Sequence, residues 1–311
     1  MLQRVDIQYG QWPRIERMTV SVDTVVGART PSFAVVIPVH NASATLKETF
    51  DCILPQLQQR DCIYAVENGS SDDSWQMLQA YSNHPSVRLI RIPEACAAQA
   101  RNTGVENAME DYILFCDADD AWSAHKLTIY RSLLSQRQDV DFACDISVSW
   151  MGKNFESIGL LGPRFKDRAL WLLPTFFSAL LVRTSLFGTS ATLFKRATLQ
   201  PCVFSPGLTH TQDFEAWCWW TAHMHNPTVM FIDAPLTDYR FEAGLSKQRN
   251  QRMANVYHIV CRYAARLPWS QRYLVRGIAT MRLMRQALRN QSLGAGVRIW
   301  LEDLPHPSIR A

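Results

Sequence analysis

Tyr112-Ile-Leu-Phe-Cys-Asp-Ala-Asp-Asp120 is an apolar run that stops abruptly in three carboxylates, Asp117, Asp119 and Asp120. An apolar run of this length bounded by polar residues predicts a buried strand, which leaves the carboxylates at its carboxyl end. In an open α/β sheet that edge is where ligands bind. Three acids in four residues repel one another, so a cation is their expected partner. A divalent metal carrying substrate phosphates fits best, because Mg²⁺ is commonly held by one or two carboxylates together with phosphate oxygens. The competing reading is a solvated acidic turn that caps the next helix. An EF-hand is excluded: counted from Asp117, position 6 is Trp122 and position 12 is Thr128, where Gly and Glu are required.

Two upstream segments repeat the grammar of apolar strand, polar loop and helix. Phe33-Ala-Val-Val-Ile-Pro-Val39 runs into His40-Asn41, after which Leu46, Phe50, Ile53, Leu54 and Leu57 recur at helical spacing. Cys62-Ile-Tyr-Ala-Val66 runs into Glu67-Asn-Gly-Ser-Ser-Asp72, followed by Trp75, Leu78 and Tyr81 on one helical face. Val87–Ile92 reads as a further strand and Ala97–Ala108 as a short helix of small residues. Strands alternating with helices predict an α/β fold whose sheet is mostly parallel and flanked by helices. His40-Asn41, Glu67-Asn68 and Asp117-Asp119 would then line one edge of it.

These residues carry a resemblance. Val-Val-Ile-Pro-Val-His-Asn41, Val-Glu-Asn-Gly-Ser-Ser-Asp72, Ala-Arg-Asn-Thr-Gly104 and Phe-Cys-Asp-Ala-Asp-Asp120 resemble, in order, four blocks of the family 2 glycosyltransferases. Those are inverting enzymes of the GT-A fold that use nucleotide sugars. The resemblance implies a nucleotide-sugar half over 32–136, with Pro38, His40, Asn41, Asn68, Gly69 and Ala118 around the donor. It assigns the nucleobase to Glu67, where the family more usually has Asp; a carboxylate accepts from the imide N–H of uracil, which points to a UDP-sugar. It sets Arg101 near the diphosphate or the acidic cluster, where a planar cation suits phosphate oxygens. A salt bridge from Arg101 to the aspartates is the structural alternative. Asp119 is the principal metal ligand, Asp117 contacts ribose or metal, and Mn²⁺ or Mg²⁺ is the implied cofactor. Asp120 is a helix cap or a supporting group.

The acceptor half, 137–246, resembles the family through Phe204-Ser-Pro-Gly-Leu-Thr-His-Thr-Gln-Asp-Phe-Glu-Ala-Trp217, in which an Asp opening a helix deprotonates the acceptor hydroxyl. Asp213 takes that position, and Gln212 stands where an acid is usual. An Asp in a first helical turn is also an ordinary cap. Glu215 and Trp217 are acceptor candidates, although the Trp217, Trp219 and Trp220 group fits a core equally. Tyr239-Arg240 with Leu245-Ser246 resembles the family's loop beside the product diphosphate. His210, His223 and His225 offer none of the helical zinc spacings.

At 311 residues with 47% hydrophobic content, the chain can bury a substantial core. Its 8 cysteines contain no Cys-x-x-Cys pair, and several fall in predicted strands, which suits reduced thiols and a cytoplasmic protein. Residues 1–31 lack the apolar core of a signal peptide and read as an extension that covers the sheet. Leu170–Val182 is strongly apolar but too short for a bilayer, which needs about 20 residues. Residues 247–311 hold 12 Lys or Arg against Glu302 and Asp303, a net +10 within an overall +4, so the first 246 residues carry −6. Apolar positions at helical spacing between those arginines predict basic amphipathic helices. They would contact an anionic membrane on the inner face, pack on the catalytic domain or form a homodimer; no nucleic-acid recognition module is recognisable. The combined expectation is a metal-dependent transferase acting on a glycan or lipid-linked glycan. A nucleotidyltransferase would need a glycine-rich phosphate loop, which Pro38-Val-His-Asn-Ala-Ser43 is not. A catalytically inactive nucleotide- or glycan-binding subunit of the same fold is the alternative from another class.

Overall fold

The structure, a computed structural model, describes residues 5–10, 16–20, 29–93, 96–151, 154–156, 177, 180–181, 188–199, 203–208, 211–224, 227–240 and 249–289. His210, His225, Ser246, residues 290–311 and most of Leu170–Val182 lie outside them.

Strands β1 (Val5–Gly10) and β2 (Glu16–Val20) precede the first motif. The apolar, largely β-branched run that follows needs cover on both faces, and it forms β3 (Phe33–Val39), buried at every position. Leu46, Phe50 and Ile53 bury one side of helix α1 (Leu46–Ile53) against the sheet. β4 (Cys62–Asn68), α2 (Ser74–Gln79), β5 (Val87–Ile92), α3 (Ala97–Asn107) and β6 (Tyr112–Phe115) continue the alternation. Here β3 lies between β4 and β6, with β5 beyond β4, all four parallel.

The second half brings the two-residue β7 (Ala121–Trp122), α4 (Lys126–Gln136), β8 (Phe142–Met151), β9 (Asn154–Glu156), β10 (Thr192–Lys195), α5 (Gln212–His223) and β11 (Val229–Tyr239). Two helices close the described chain, α6 (Arg249–Ala264) and α7 (Trp269–Arg289). The sheet runs β2-β1-β11-β8-β10-β6-β3-β4-β5. It is mixed: β10 is antiparallel to both β6 and β8, and β11 runs parallel to β8. The β1–β2 hairpin adds to the β11 edge in antiparallel register. It extends the sheet sideways.

Each face has its own core. Leu46, Phe50, Leu127, Tyr130 and Leu134 from α1 and α4 cover one. On the other, α3, α5 and α6 bring Ala98, Phe214, Trp217, Trp220 and Val260 onto Phe115 and Phe194. Phe194 and Trp217 stack at 4.6 Å. The small residues of α3 let it lie close to the sheet. A Cβ on Gly104 would stand 2.3 Å from Val36 Cγ1, so only glycine permits this approach.

Candidate active site

Val39 and Glu67 are register partners at the carboxyl ends of β3 and β4, which sets the two following loops side by side. They interlock. Asn41 N donates to Ser70 Oγ at 3.1 Å, Ser71 N to Asn41 Oδ1 at 2.8 Å, Ala42 N to Ser74 Oγ at 2.8 Å and Ser43 N to Asp72 Oδ2 at 3.0 Å. Both turns use the left-handed region, at Asn41 (φ 49°) and Gly69 (φ 72°), which Asn and Gly tolerate. His40 is exposed, with Nδ1 3.0 Å from Asn68 O. Pro38 is buried under the loop pair.

Glu67, expected at the nucleobase, is turned inward. Its side chain has no exposed surface; Arg91 Nε donates to Oε2 at 2.8 Å, and Ser70 N donates to Oε1 at 2.5 Å. The longer acid folds back to neutralise Arg91 and anchor the turn. Asn68 is likewise buried: turned to satisfy both its groups, its amide donates to Val39 O at 2.6 Å and accepts from Cys96 N at 3.2 Å. His40, Asn41 and Ser71 are among the exposed residues of these turns, together with the Arg91 guanidinium, which lies 5.1 Å from the Trp75 ring.

β6 ends at Phe115, so the carboxylates emerge on the same edge. Arg101, projected from α3, donates to Asp117 Oδ1 at 2.6 Å and to Gln212 Oε1 at 3.2 Å, with its guanidinium 5.6 Å from the Phe204 ring. The salt-bridge alternative for Arg101 is thus formed, and the residue also reaches Gln212 at the start of α5. Asp119 is pushed up to about 7, by burial first and the Asp117 charge second, against the pull of Arg240 and Arg101. Ala118 is buried between the two acids, and its carbonyl accepts from Thr45 and Thr49.

Asp120 does not cap a helix, since α4 begins at Lys126 with His125 in the cap position. It is 1% exposed and accepts from Ser190 Oγ at 2.5 Å and from Arg240 N at 3.1 Å. β7 pairs with β11 at Thr237 and Asp238, which delivers Arg240 to the acids. The Arg240 guanidinium pairs with Glu48 of α1. Tyr239 shows how closely the acids gather: burial, then the charges of Asp120, Asp117, Asp119 and Asp213, hold its hydroxyl above the usual phenol range. Four carboxylates from two halves of the chain share one electrostatic neighbourhood.

Asp213 is the second residue of α5, behind Thr211 in the left-handed conformation (φ 64°). One of its oxygens accepts from Phe214 N at 2.8 Å, and the other faces Thr189 Oγ1 at 3.5 Å. One oxygen serves the helix and the other faces the buried Thr189. Gln212 contributes through Arg101 and through a bond from its amide to Leu208 O. Glu215 and Trp217, expected at the acceptor, are both buried. Glu215 is 3% exposed and taken by Ser205 Oγ and Tyr263 Oη, both at 2.8 Å. Trp217, 2% exposed, packs among Phe115, Phe194 and Phe204.

Sequence reading missed a buried support beneath the acids. Ser190 Oγ accepts from Asp117 N at 2.9 Å while donating to Asp120, and its carbonyl accepts from Lys126 Nζ at 2.7 Å. Lys126, fully buried, pairs with Asp145 at 2.9 Å; Asp145 also accepts from Tyr130 Oη at 2.9 Å and Thr237 Oγ1 at 2.7 Å. Lys126, Asp145 and Ser190, far apart in sequence, form no motif, and only the buried position of the lysine would have flagged them.

Among the described residues, no three His, Cys, Asp or Glu side chains gather in a way that could hold a metal. Asp117 and Asp119 fit a divalent cation in the two-carboxylate manner that leaves most positions to phosphate and water.

Residues 34–177, a little under half of the chain, match the model of glycosyl transferase family 2. The fold is of the GT-A type. Among curated relatives, the uncharacterised glycosyltransferase YibD of Escherichia coli is 31% identical over 136 residues, covering 42% of this chain and 38% of YibD. The Escherichia coli UDP-Glc:alpha-D-GlcNAc-diphosphoundecaprenol beta-1,3-glucosyltransferase WfgD is 24% identical, covering 59% of this chain and 67% of WfgD. The chain therefore spans well under half of the length of YibD. Among solved structures, S. aureus TarS 1-349 in complex with UDP is similar with a TM-score of 0.61 and 13% identity, over 82% of this chain and 72% of that one. The Pyrobaculum calidifontis mannosyltransferase PcManGT in complex with GDP-Man and Mn²⁺ is similar with a TM-score of 0.54 and 17% identity, over 90% and 77%.

Proposed function

We propose that the protein is an inverting glycosyltransferase that moves a sugar from a nucleotide sugar to a hydroxyl of a glycan or lipid-linked glycan. The observation that carries this reading is the approach of Asp213, on the first turn of α5, to the Asp117–Asp120 cluster across the Arg101–Gln212 bridge. A donor diphosphate held at the β6 end would leave the sugar between the two groups. Asp213 takes the proton of the acceptor hydroxyl as that oxygen bonds the anomeric carbon. The bond to the diphosphate breaks on the opposite face, which inverts the configuration. Arg101 balances charge on the departing phosphate. Mn²⁺ or Mg²⁺ on Asp119 and Asp117, when bound, supplies Lewis-acid stabilisation of the same leaving group.

A UDP-sugar is the favoured donor. WfgD is named for UDP-Glc, and the TarS structure contains UDP. The diphosphoundecaprenol in the name of WfgD supports a lipid-linked acceptor. Seven described cysteines are free thiols, in keeping with a cytoplasmic setting. One observation favours the inactive-subunit reading instead: Glu67, the acid expected to meet the base, is sealed by Arg91 and Ser70.

A thermal-shift panel of UDP, GDP, CDP and dTDP, with and without Mn²⁺, on wild type and Asp119→Ala separates the two, when followed by donor turnover in Asp213→Asn. Metal-dependent stabilisation by one nucleotide, lost in Asp119→Ala, is expected. Turnover that falls by about 10²- to 10⁴-fold in Asp213→Asn, with nucleotide binding kept, is the second expected result. Nucleotide binding without any turnover in wild type would establish the inactive subunit.

A further inference from the structure

Helix α7 is apolar on two opposite sides. Val275 and Leu283 are 0% and 3% exposed, with Ala279 between them, and Leu283 packs with Tyr257 and Cys261 of α6. At about 100° per residue the far side of the helix carries Trp269, Tyr273, Met281 and Leu288. These are 75%, 72%, 65% and 61% exposed, and Leu274 beside them is 53% exposed. A surface helix that has buried one stripe normally turns charge to water on the other. Here the outward stripe begins with Trp and Tyr, the two residues that favour the boundary between hydrocarbon and water.

The charge around this stripe has one sign. Residues 249–289 contain nine arginines and no Asp or Glu. By helical position Arg276 borders the stripe on one side, with Arg282 and Arg285 on the other. Among the described residues no helix is long and apolar enough to cross a membrane. From Trp269 to Leu288 the stripe extends about 29 Å, which suits a helix lying along a surface.

We propose that α7 lies flat on an anionic lipid surface, with Trp269, Tyr273, Met281 and Leu288 entering the headgroup boundary and the bordering arginines on lipid phosphates. A second copy of the chain is the less suitable occupant, because a two-fold contact would set the same acid-free cationic surface against itself. Anionic headgroups neutralise it. The docked helices would be tied to the candidate base: Tyr263 Oη of α6 donates to Glu215, two residues beyond Asp213 on α5. Lipid binding itself does not depend on the transferase reading.

The test is flotation of the full chain with vesicles of phosphatidylcholine plus phosphatidylglycerol, against phosphatidylcholine alone. Wild type is compared with the triple variant Trp269→Ser, Tyr273→Ser, Met281→Ser. These positions are exposed, so the variant should keep the wild-type circular dichroism and melting temperature. Wild type is expected to float with the anionic vesicles only, less at high salt, and the variant to partition at least about ten-fold more weakly. Equal flotation of the two proteins, or none by wild type, would overturn the proposal. So would sedimentation showing a wild-type dimer that becomes monomeric in the variant, which would assign the stripe to a second copy.

Discussion

Gln212, at the start of α5, accepts a hydrogen bond from Arg101 at 3.2 Å while the same guanidinium holds Asp117 at 2.6 Å. The neutral amide leaves Arg101's charge for the β6 carboxylates. Gln212→Ala removes a bond to a charged group, a loss of about 1.5–3 kcal/mol in the geometry that Arg101 maintains. Steady-state kinetics should show kcat/KM for transfer down by about 10- to 100-fold. An unchanged value would show that Arg101 needs no second anchor.

Asp119 gives the free protein a pH signature. Its folded value of about 7 lies above the unfolded carboxylate value of about 3.9. Between these two the folded state binds more protons, so the contribution of this group to stability falls as pH rises through the window and is level above it. Urea midpoints of wild type and Asp119→Asn should diverge across the window, with the variant flatter and more stable at its upper end. Binding of Mn²⁺ with nucleotide should strengthen as pH passes about 7, because the ligand must be ionised.

Gly104→Ala drives a methyl group to 2.3 Å from Val36 Cγ1. Overpacking of this kind should destabilise the fold by about 1–3 kcal/mol in urea unfolding. A neutral result would mean that α3 can ride outward without loss.

The Lys126–Asp145 pair should be costly to halve. Lys126→Met leaves a buried carboxylate without its cation, which should destabilise by about 3–5 kcal/mol. Adding Asp145→Asn should recover part of that, and a double-mutant cycle measures the coupling. Additive losses would show that the two act independently.

The sequence made the strand ends legible because polar loops follow apolar runs there, and the backbone alone decides where such residues emerge. Asp117 and Asp119 are legible at the end of β6 for that reason, whereas Arg101 lies within α3 and Asp213 in the first turn of α5. The burial of Glu67, Glu215 and Trp217 is not legible in the same way: a side chain in a motif position can turn inward when a partner such as Arg91 or Tyr263 is within reach, and those partners lie on other elements. Ser190 was invisible because its role depends on the antiparallel insertion of β10, which places residues 189–191 beside β6. The parallel half followed from local periodicity, while the mixed half depends on long-range pairing that periodicity does not encode.

Helix α3 has one further consequence. Arg101 grips the carboxylates, while Asn102 exchanges two hydrogen bonds with the Phe204 backbone, at 2.7 and 2.9 Å. Gly104 meanwhile seats the helix against Val36. Within about one helical turn the chain is fastened to the Asp117 loop, the Phe204 loop and the floor of the sheet. A shift of α3 that eases one of these three attachments must strain the others.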